Sequence, residues 1–166
     1  GTVFLYNGSE LGLPNVDDLP DDALQDPVWE RSGRTERGRD GCRVPIPWEG
    51  TEPPFGFSAT SETWLPIPDS WRALTVEAQL EDVGSMLSLY RAAIDLRVTR
   101  PEFTGEHLEW YGAPEGCLAF RRSEGQLVCA LNAGDEPVPL PPGELLLVSS
   151  PLVDGMLAPD AAAWLV

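Results

Sequence analysis

Between an apolar stretch at residues 2–6 and a helical periodicity that begins near residue 75 lie about 65 residues with almost no assignable regular structure. That gap constrains the fold more than any other feature of the chain. It holds Pro14, Pro20, Pro27, Pro45, Pro47, Pro53, Pro54, Pro66 and Pro68, and each proline removes a backbone donor and fixes one dihedral. Connections in compact domains usually run roughly 2 to 6 residues, so one this long is either functional or disordered. Disorder fits poorly. Trp29, Trp48, Trp64 and Trp71, four of the six tryptophans, fall here with Phe55 and Phe57. Large aromatic side chains bury too much apolar surface to be left in water. The sequence therefore predicts an ordered, functional loop.

What flanks the loop narrows the fold class. Residues 2–6, T-V-F-L-Y, show no polar alternation, which is the pattern of a strand buried on both faces in a parallel sheet covered by helices. Asn7-Gly8 ends it. On the far side, Val76, Leu80, Val83, Leu87, Tyr90 and Ile94 recur at alternating spacings of four and three, and Met86, Leu89, Ala93 and Leu96 widen that stripe. One helix over residues 75–97 is expected, with Thr75 as its cap, Glu77 in its first turn, and Arg97 and Arg100 near its end before Pro101. Gly84 costs such a helix about 1 kcal/mol relative to alanine. After Pro101 short strands are expected at 107–111, 117–122, 126–132, 144–149 and 162–166, with a hairpin turn at Ser123-Glu124-Gly125. That spacing indicates a small antiparallel sheet or sandwich. No internal repeat is visible.

Charge excludes whole classes of partner. All 11 basic residues are arginine against 27 Asp and Glu, for a net charge of −16. Nucleic acid and anionic membrane surfaces need clustered positive charge, so neither is expected as a partner. The longest apolar runs are about five or six residues, too short to span a bilayer. Cys42, Cys117 and Cys129 are odd in number and lack metal-ligand spacing; they read as free thiols, in keeping with a reducing, cytoplasmic location. No secretory-signal pattern opens the chain, and the direct start of an apolar strand at Gly1 reads as a cut. No cofactor or metal is expected.

Residues 31–48, R-S-G-R-T-E-R-G-R-D-G-C-R-V-P-I-P-W, hold five arginines within thirteen positions. Arginine suits bidentate carboxylate pairing and presents a fixed fork of donors to sugar hydroxyls. The ordinary reading is that Arg31, Arg34, Arg37, Arg39 and Arg43 neutralise the acidic run of Asp17, Asp18, Asp21, Asp22, Asp26 and Glu30. Other conspicuous residues also have ordinary readings. His107, the single histidine, is expected to face solvent; Trp110 and Trp164 are expected in the sandwich core rather than against sugar. The acidic run lacks calcium-loop spacing, and Gly33 and Gly38 lack the strand-to-helix context of a phosphate loop.

Five motifs in order carry a resemblance: Y-N-G-S-E-L-G-L (6–13), R-D-G-C-R-V-P-I-P-W (39–48), G-F-S (56–58), W-L-P (64–66) and L-Y-R-A-A-I-D-L-R (89–97). Together they resemble the α-amylase superfamily, and more narrowly the α-glucosidase and oligo-1,6-glucosidase branch of glycoside hydrolase family 13. The resemblance implies α/β followed by all-β. Residues 1–100 would be the last β/α unit of a (β/α)8 barrel: strand eight at 2–6, a long βα loop at 7–72 and helix eight at 75–97. Residues 101–166 would be a small antiparallel C-terminal β-sandwich. The family cleaves α-glucosidic bonds of short oligosaccharides with retention, using a nucleophile and an acid/base about 5 to 5.5 Å apart. By the family's layout both carboxylates, and a further sugar-gripping aspartate, precede Gly1. No catalytic residue is therefore expected in this chain, which is expected to be inactive alone and to act with an N-terminal remainder of the same polypeptide. Arg39 matches the motif arginine that contacts the substrate glucose, with Asp40 and Arg43 as loop supports and Pro45 and Trp48 stiffening its exit. Ser9 departs from the acidic residue many relatives carry, so either Glu10 takes over part of that local charge pairing or the loop is set differently. The alternative is a free-standing carbohydrate-binding or interaction module. That reading requires residues 2–6 to find strand partners within the chain and the helix stripe to be covered; the fragment reading requires both to be exposed.

Overall fold

The computed structural model describes residues 2–105, 107–122, 124 and 126–166. Two compact units divide between Tyr90 and Arg91, and the longest helix runs across that division.

In the first unit, residues 2–6 enter no ladder among the described residues. They are exposed along their length, with Phe4 90% and Tyr6 59% accessible. The strand expected at 2–6 is not formed: a strand of the doubly buried kind needs a neighbour on each side to satisfy its backbone groups, and no described strand lies in this unit. The long connection that follows is ordered, as its aromatics predict. Val16, Leu19, Val44, Phe55, Leu65, Ile67 and Trp71 form one buried cluster. Burying each such large side chain is worth about 1.5–3 kcal/mol, which is how a segment with little repetitive hydrogen bonding holds a shape. Its regular pieces are short: helix α1 (Pro27–Arg31), single turns of 3-10 helix at Ser9–Leu11, Asp21–Ala23 and Asp40–Cys42, and a six-residue 3-10 helix at Asp69–Leu74.

The expected single helix at 75–97 is two. Helix α2 spans Val76–Leu80 and α3 spans Met86–Thr99. Thr75 caps α2 by accepting from the Ala78 amide at 3.1 Å. The break has a local cause. Asp82 Oδ1 accepts from the Gly84 amide at 2.8 Å, and Ser85 Oγ accepts from the Ser88 amide at 3.1 Å. Side chains of this kind compete with the helix ladder and restart it. Gln79, itself buried, bridges the gap: its amide nitrogen donates to the Leu11 carbonyl at 2.9 Å and its oxygen accepts from the Leu87 amide at 3.1 Å. No residue of α3 is buried, and Val83 and Ile94 of the apolar stripe are exposed.

The second unit is a five-stranded antiparallel sheet in the order β1-β2-β3-β5-β4: β1 Leu108–Trp110, β2 Cys117–Arg122, β3 Val128–Asn132, β4 Leu145–Val148 and β5 Ala161–Leu165. Each falls within or next to a stretch whose alternation predicts it. Ser123 and Gly125 of the expected hairpin turn lie outside the described residues. One face packs Ala119, Val128, Ala130, Ala161, Ala163 and Leu165 over Leu157. Fully buried Asn132 fastens that face, donating to the carbonyls of Glu136, Leu157 and Ala158 and accepting from the Gly134 amide. The described strands form this one sheet rather than two facing ones. Trp110, expected in a core, is 67% exposed and touches Phe120 edge-to-face. The reason is its place on a three-residue edge strand with a neighbour on one side only. Trp164 packs edge-to-face on Phe103 with ring centres 4.8 Å apart.

Candidate functional site

The arginine-rich turn is built on two buried carboxylates. Asp40 is fully buried: its Oδ2 accepts from the amides of Gln25 (2.6 Å) and Asp26 (2.7 Å), and its Oδ1 pairs with Arg43 Nη2 at 2.6 Å. Asp26 caps α1 by accepting from the Val28 amide at 3.0 Å through Oδ1. Its Oδ2 accepts from the Arg39 amide and from Arg43 Nη2, each at 3.0 Å. Arg39 is thereby held by its backbone, while its side chain is exposed and its guanidinium makes no hydrogen bond or ion pair among the described residues. The neutralising reading of the cluster applies to Arg34, paired with Glu30 at 2.9 Å, and to Arg37, paired with Asp21 at 2.6 Å. It does not apply to Arg39, nor to exposed Arg31, whose side chain likewise makes no hydrogen bond or ion pair among the described residues. Buried Asp40 and half-buried Arg43 make one structural unit with Asp26; Arg39 is the side chain that unit presents. At the departure site, Glu10 Oε2 accepts from the Gly8 amide at 2.9 Å, beside Ser9.

Gly38 makes this packing feasible. Its φ is +73°, and a Cβ there would lie 2.5 Å from Asp26 Cγ and 2.7 Å from Val28 Cγ1. Gly38→Ala combines a left-handed backbone penalty with displacement of the Asp26 carboxylate. We expect a loss of about 1–3 kcal/mol in denaturant unfolding. Gly33→Ala, with positive φ but open space around it, should cost clearly less.

The Asp26 carboxyl is held below the usual carboxylate range, chiefly by the Val28 and Arg39 amides and then by the nearby Arg43 and Arg39 charges, against the opposing effect of burial. A lowered carboxyl contributes stability above the ordinary aspartate range and loses it as pH falls through the depressed value. Melting temperature should therefore drop on acidification below about pH 4, and Asp26→Asn should flatten that drop. An acid limb unchanged by the substitution would contradict this.

Beside the turn a cleft of about 540 Å3 is lined by Tyr6, Asn7, Cys42, Arg43, Trp48 and Phe57, among others. The Tyr6 hydroxyl lies 3.8 Å from Cys42 Sγ, and that contact raises the phenol above its usual pKa. The Cys42 thiol donates to the Arg39 carbonyl at 3.2 Å. Burial pushes the Cys129 thiol up to about 11. All three cysteines are free. Among the described residues no three His, Cys, Asp or Glu side chains gather to hold a metal. His107 is exposed, with Glu124 3.9 Å away.

Two members of this arrangement are missed when the sequence is read alone. Asp26 looks like part of a solvated acidic run, although an aspartate directly before Pro27 and an apolar turn is a helix-cap signal. Trp64 stands 21 positions from Arg43, yet its ring lies over the Arg43 guanidinium at 5.6 Å. No local pattern reports such a pair.

Residues 1–105 match the alpha amylase catalytic domain family. The chain belongs to the α-amylase family, glycoside hydrolase family 13. Within that family its similarity runs to α-glucosidases and oligo-1,6-glucosidases. A probable alpha-glucosidase of Rhizobium meliloti (strain 1021) is 36% identical over 138 residues, covering 82% of this chain and 24% of that protein. A probable oligo-1,6-glucosidase 3 of Bacillus subtilis (strain 168) is 31% identical over 119 residues, 62% of this chain and 21% of that protein. The crystal structure of the alpha-glucosyl transfer enzyme XgtA superposes with a TM-score of 0.73 at 34% identity, over 98% of this chain and 32% of that one. Trehalulose synthase MutB from Pseudomonas mesoacidophila MX-45 superposes at 0.79 over 99% of this chain and 35% of that one, with 21% identity, a likeness of fold. The chain thus spans about a quarter of the length of the curated relatives it matches. No described helix is long and apolar enough to cross a membrane.

Proposed function

We propose that the chain works as the C-terminal part of an α-glucosidase-type glycoside hydrolase that cleaves α-glucosidic bonds of short oligosaccharides with retention. In this reading residues 1–100 are the terminal piece of a (β/α)8 barrel and residues 101–166 an appended antiparallel β module. The remainder of the polypeptide, N-terminal to this chain, supplies the catalytic carboxylates. This chain supplies one wall of the sugar pocket: Arg39 donates to hydroxyls at the non-reducing end of the bound glucose, and Asp40 and Arg43 hold the turn from which it projects. Holding the backbone of residue 39 before substrate arrives reduces the entropy lost on binding to what the side chain itself must give up. No cofactor takes part, and three free thiols fit a cytoplasmic setting.

The observation that carries this reading is Arg39 itself, anchored through its backbone to a buried carboxylate while its guanidinium has no partner among the described residues. The exposure of residues 2–6 supports it too, because a self-sufficient binding module needs that segment paired. The test is release of glucose from maltose, isomaltose and sucrose. The full-length polypeptide should release glucose from at least one of them, and the purified 166-residue chain from none. Turnover by the chain alone would refute the division of labour.

A further inference from the structure

We propose that Trp64 is a positioning residue for sugar binding, acting through Arg43 and Asp26 on the bearing of Arg39; this rests on the functional reading above. The indole Nε1 donates to the Arg43 carbonyl at 3.3 Å, and the ring covers the Arg43 guanidinium at 5.6 Å. The guanidinium Nη2 is shared by Asp26 Oδ2 at 3.0 Å and Asp40 Oδ1 at 2.6 Å. Arg43 Nε is buried and has no hydrogen-bond partner among the described residues. A ring over the cation adds attraction where one of its N–H groups lacks an acceptor. Trp64 is itself 51% exposed, so it is not filling the core. What fixes its ring is the backbone next to it. Leu65 is fully buried, and Thr63 Oγ1 donates to the Leu65 carbonyl at 2.6 Å.

Asp26 Oδ2 serves two donors, Arg43 Nη2 and the Arg39 amide. Trp64 adds a ring contact to the two carboxylate contacts that hold the Arg43 guanidinium. Without the ring, Arg43 is free to turn toward water, and Asp26 is free to follow it or to swing away from Arg39. The loss falls on the alignment of Arg39 with sugar hydroxyls, hence on binding rather than on bond cleavage.

The test uses the full-length polypeptide with maltose and isomaltose as substrates and glucose as a competitive probe. Trp64→Ala and Trp64→Leu should raise KM about five- to tenfold, with kcat changed less than about twofold, and the glucose inhibition constant should rise with KM. Trp64→Phe, which keeps a ring but loses the N–H, should recover most of the effect, leaving about a twofold rise. The deciding measurement is a double-mutant cycle on kcat/KM: in an Arg39→Ala background the Trp64 substitutions should cost less than about twofold. Independent, multiplying losses overturn the inference, as does a lowered melting temperature with unchanged KM. Should the Ala and Leu variants fail to fold, Trp64→Phe carries the cycle, and an unchanged KM or multiplying losses there overturns it equally. If the unaltered polypeptide cleaves no α-glucoside, the functional reading fails and takes this inference with it. If it does cleave but the losses multiply, only the inference fails.

Discussion

Replacing Asp40 with alanine is expected to cost about 3–5 kcal/mol, enough to consume much of a domain's stability. The side chain is fully buried and serves three donors: the amides of Gln25 and Asp26 and the Arg43 guanidinium. Alanine removes one acceptor group and leaves all three donors short. A buried donor without a partner pays the full cost of its lost hydration, and a charged one pays more. Asp40→Asn keeps the shape and one acceptor oxygen but loses the charge facing Arg43, so it should fall between alanine and the native residue. Asp17→Ala, at an exposed position of the acidic run, should stay within about 0.5 kcal/mol of the native protein. Denaturant unfolding of the three variants measures the order. Equal, small effects at positions 40 and 17 would mean that Asp40 anchors nothing.

The second large effect is functional. Arg39→Ala in the full-length polypeptide should lower kcat/KM on maltose or isomaltose by about two orders of magnitude. Hydrogen bonds to a charged group are worth roughly 1.5–3 kcal/mol each, and about 2.7 kcal/mol corresponds to a hundredfold. Arg34→Ala is the control. It sits in the same cluster but is occupied by Glu30 in an exposed pair, with 66% and 68% of the two side chains accessible. Such pairs contribute little, so its kinetics should be unchanged within about twofold. Folding of the Arg39 variant should be nearly normal, because what anchors the turn is the residue 39 amide, which alanine retains. Losses of equal size at 39 and 34 would reduce Arg39 to a structural residue.

These expectations rest on features that were not equally visible in the linear chain. The antiparallel strands after Pro101 were legible because alternation over five or six residues is a local signal, and β2, β3 and β5 lie where it places them. The Thr75 cap was legible for the same reason. The break between α2 and α3 was misread, since the four-three spacing of Val76, Leu80, Val83 and Leu87 continues straight through it. The competing bonds of Asp82 and Ser85 span only two and three residues, and they outweigh a stripe that finds no buried surface on α3 to reward it. Arg39, Asp40 and Arg43 could be picked out by motif. The placing of Asp26 and Trp64 against them could not, because what recruits these two is position in space.

Residue order alone determined that the proline-rich connection is ordered and where the strands after Pro101 lie, since aromatic content and alternation are local signals; it did not show the break between α2 and α3. It also determined the family, through motifs that survive as short strings. Tertiary structure decided that Arg34, Arg37 and Arg43 are paired while Arg31 and Arg39 have no side-chain ion pair among the described residues. The charges of Asp21, Asp26, Glu30 and Asp40 are shared out by distance across the folded loop. Coulombic and hydrogen-bond energies fall off over a few ångströms, and spacing along the chain does not encode those ångströms.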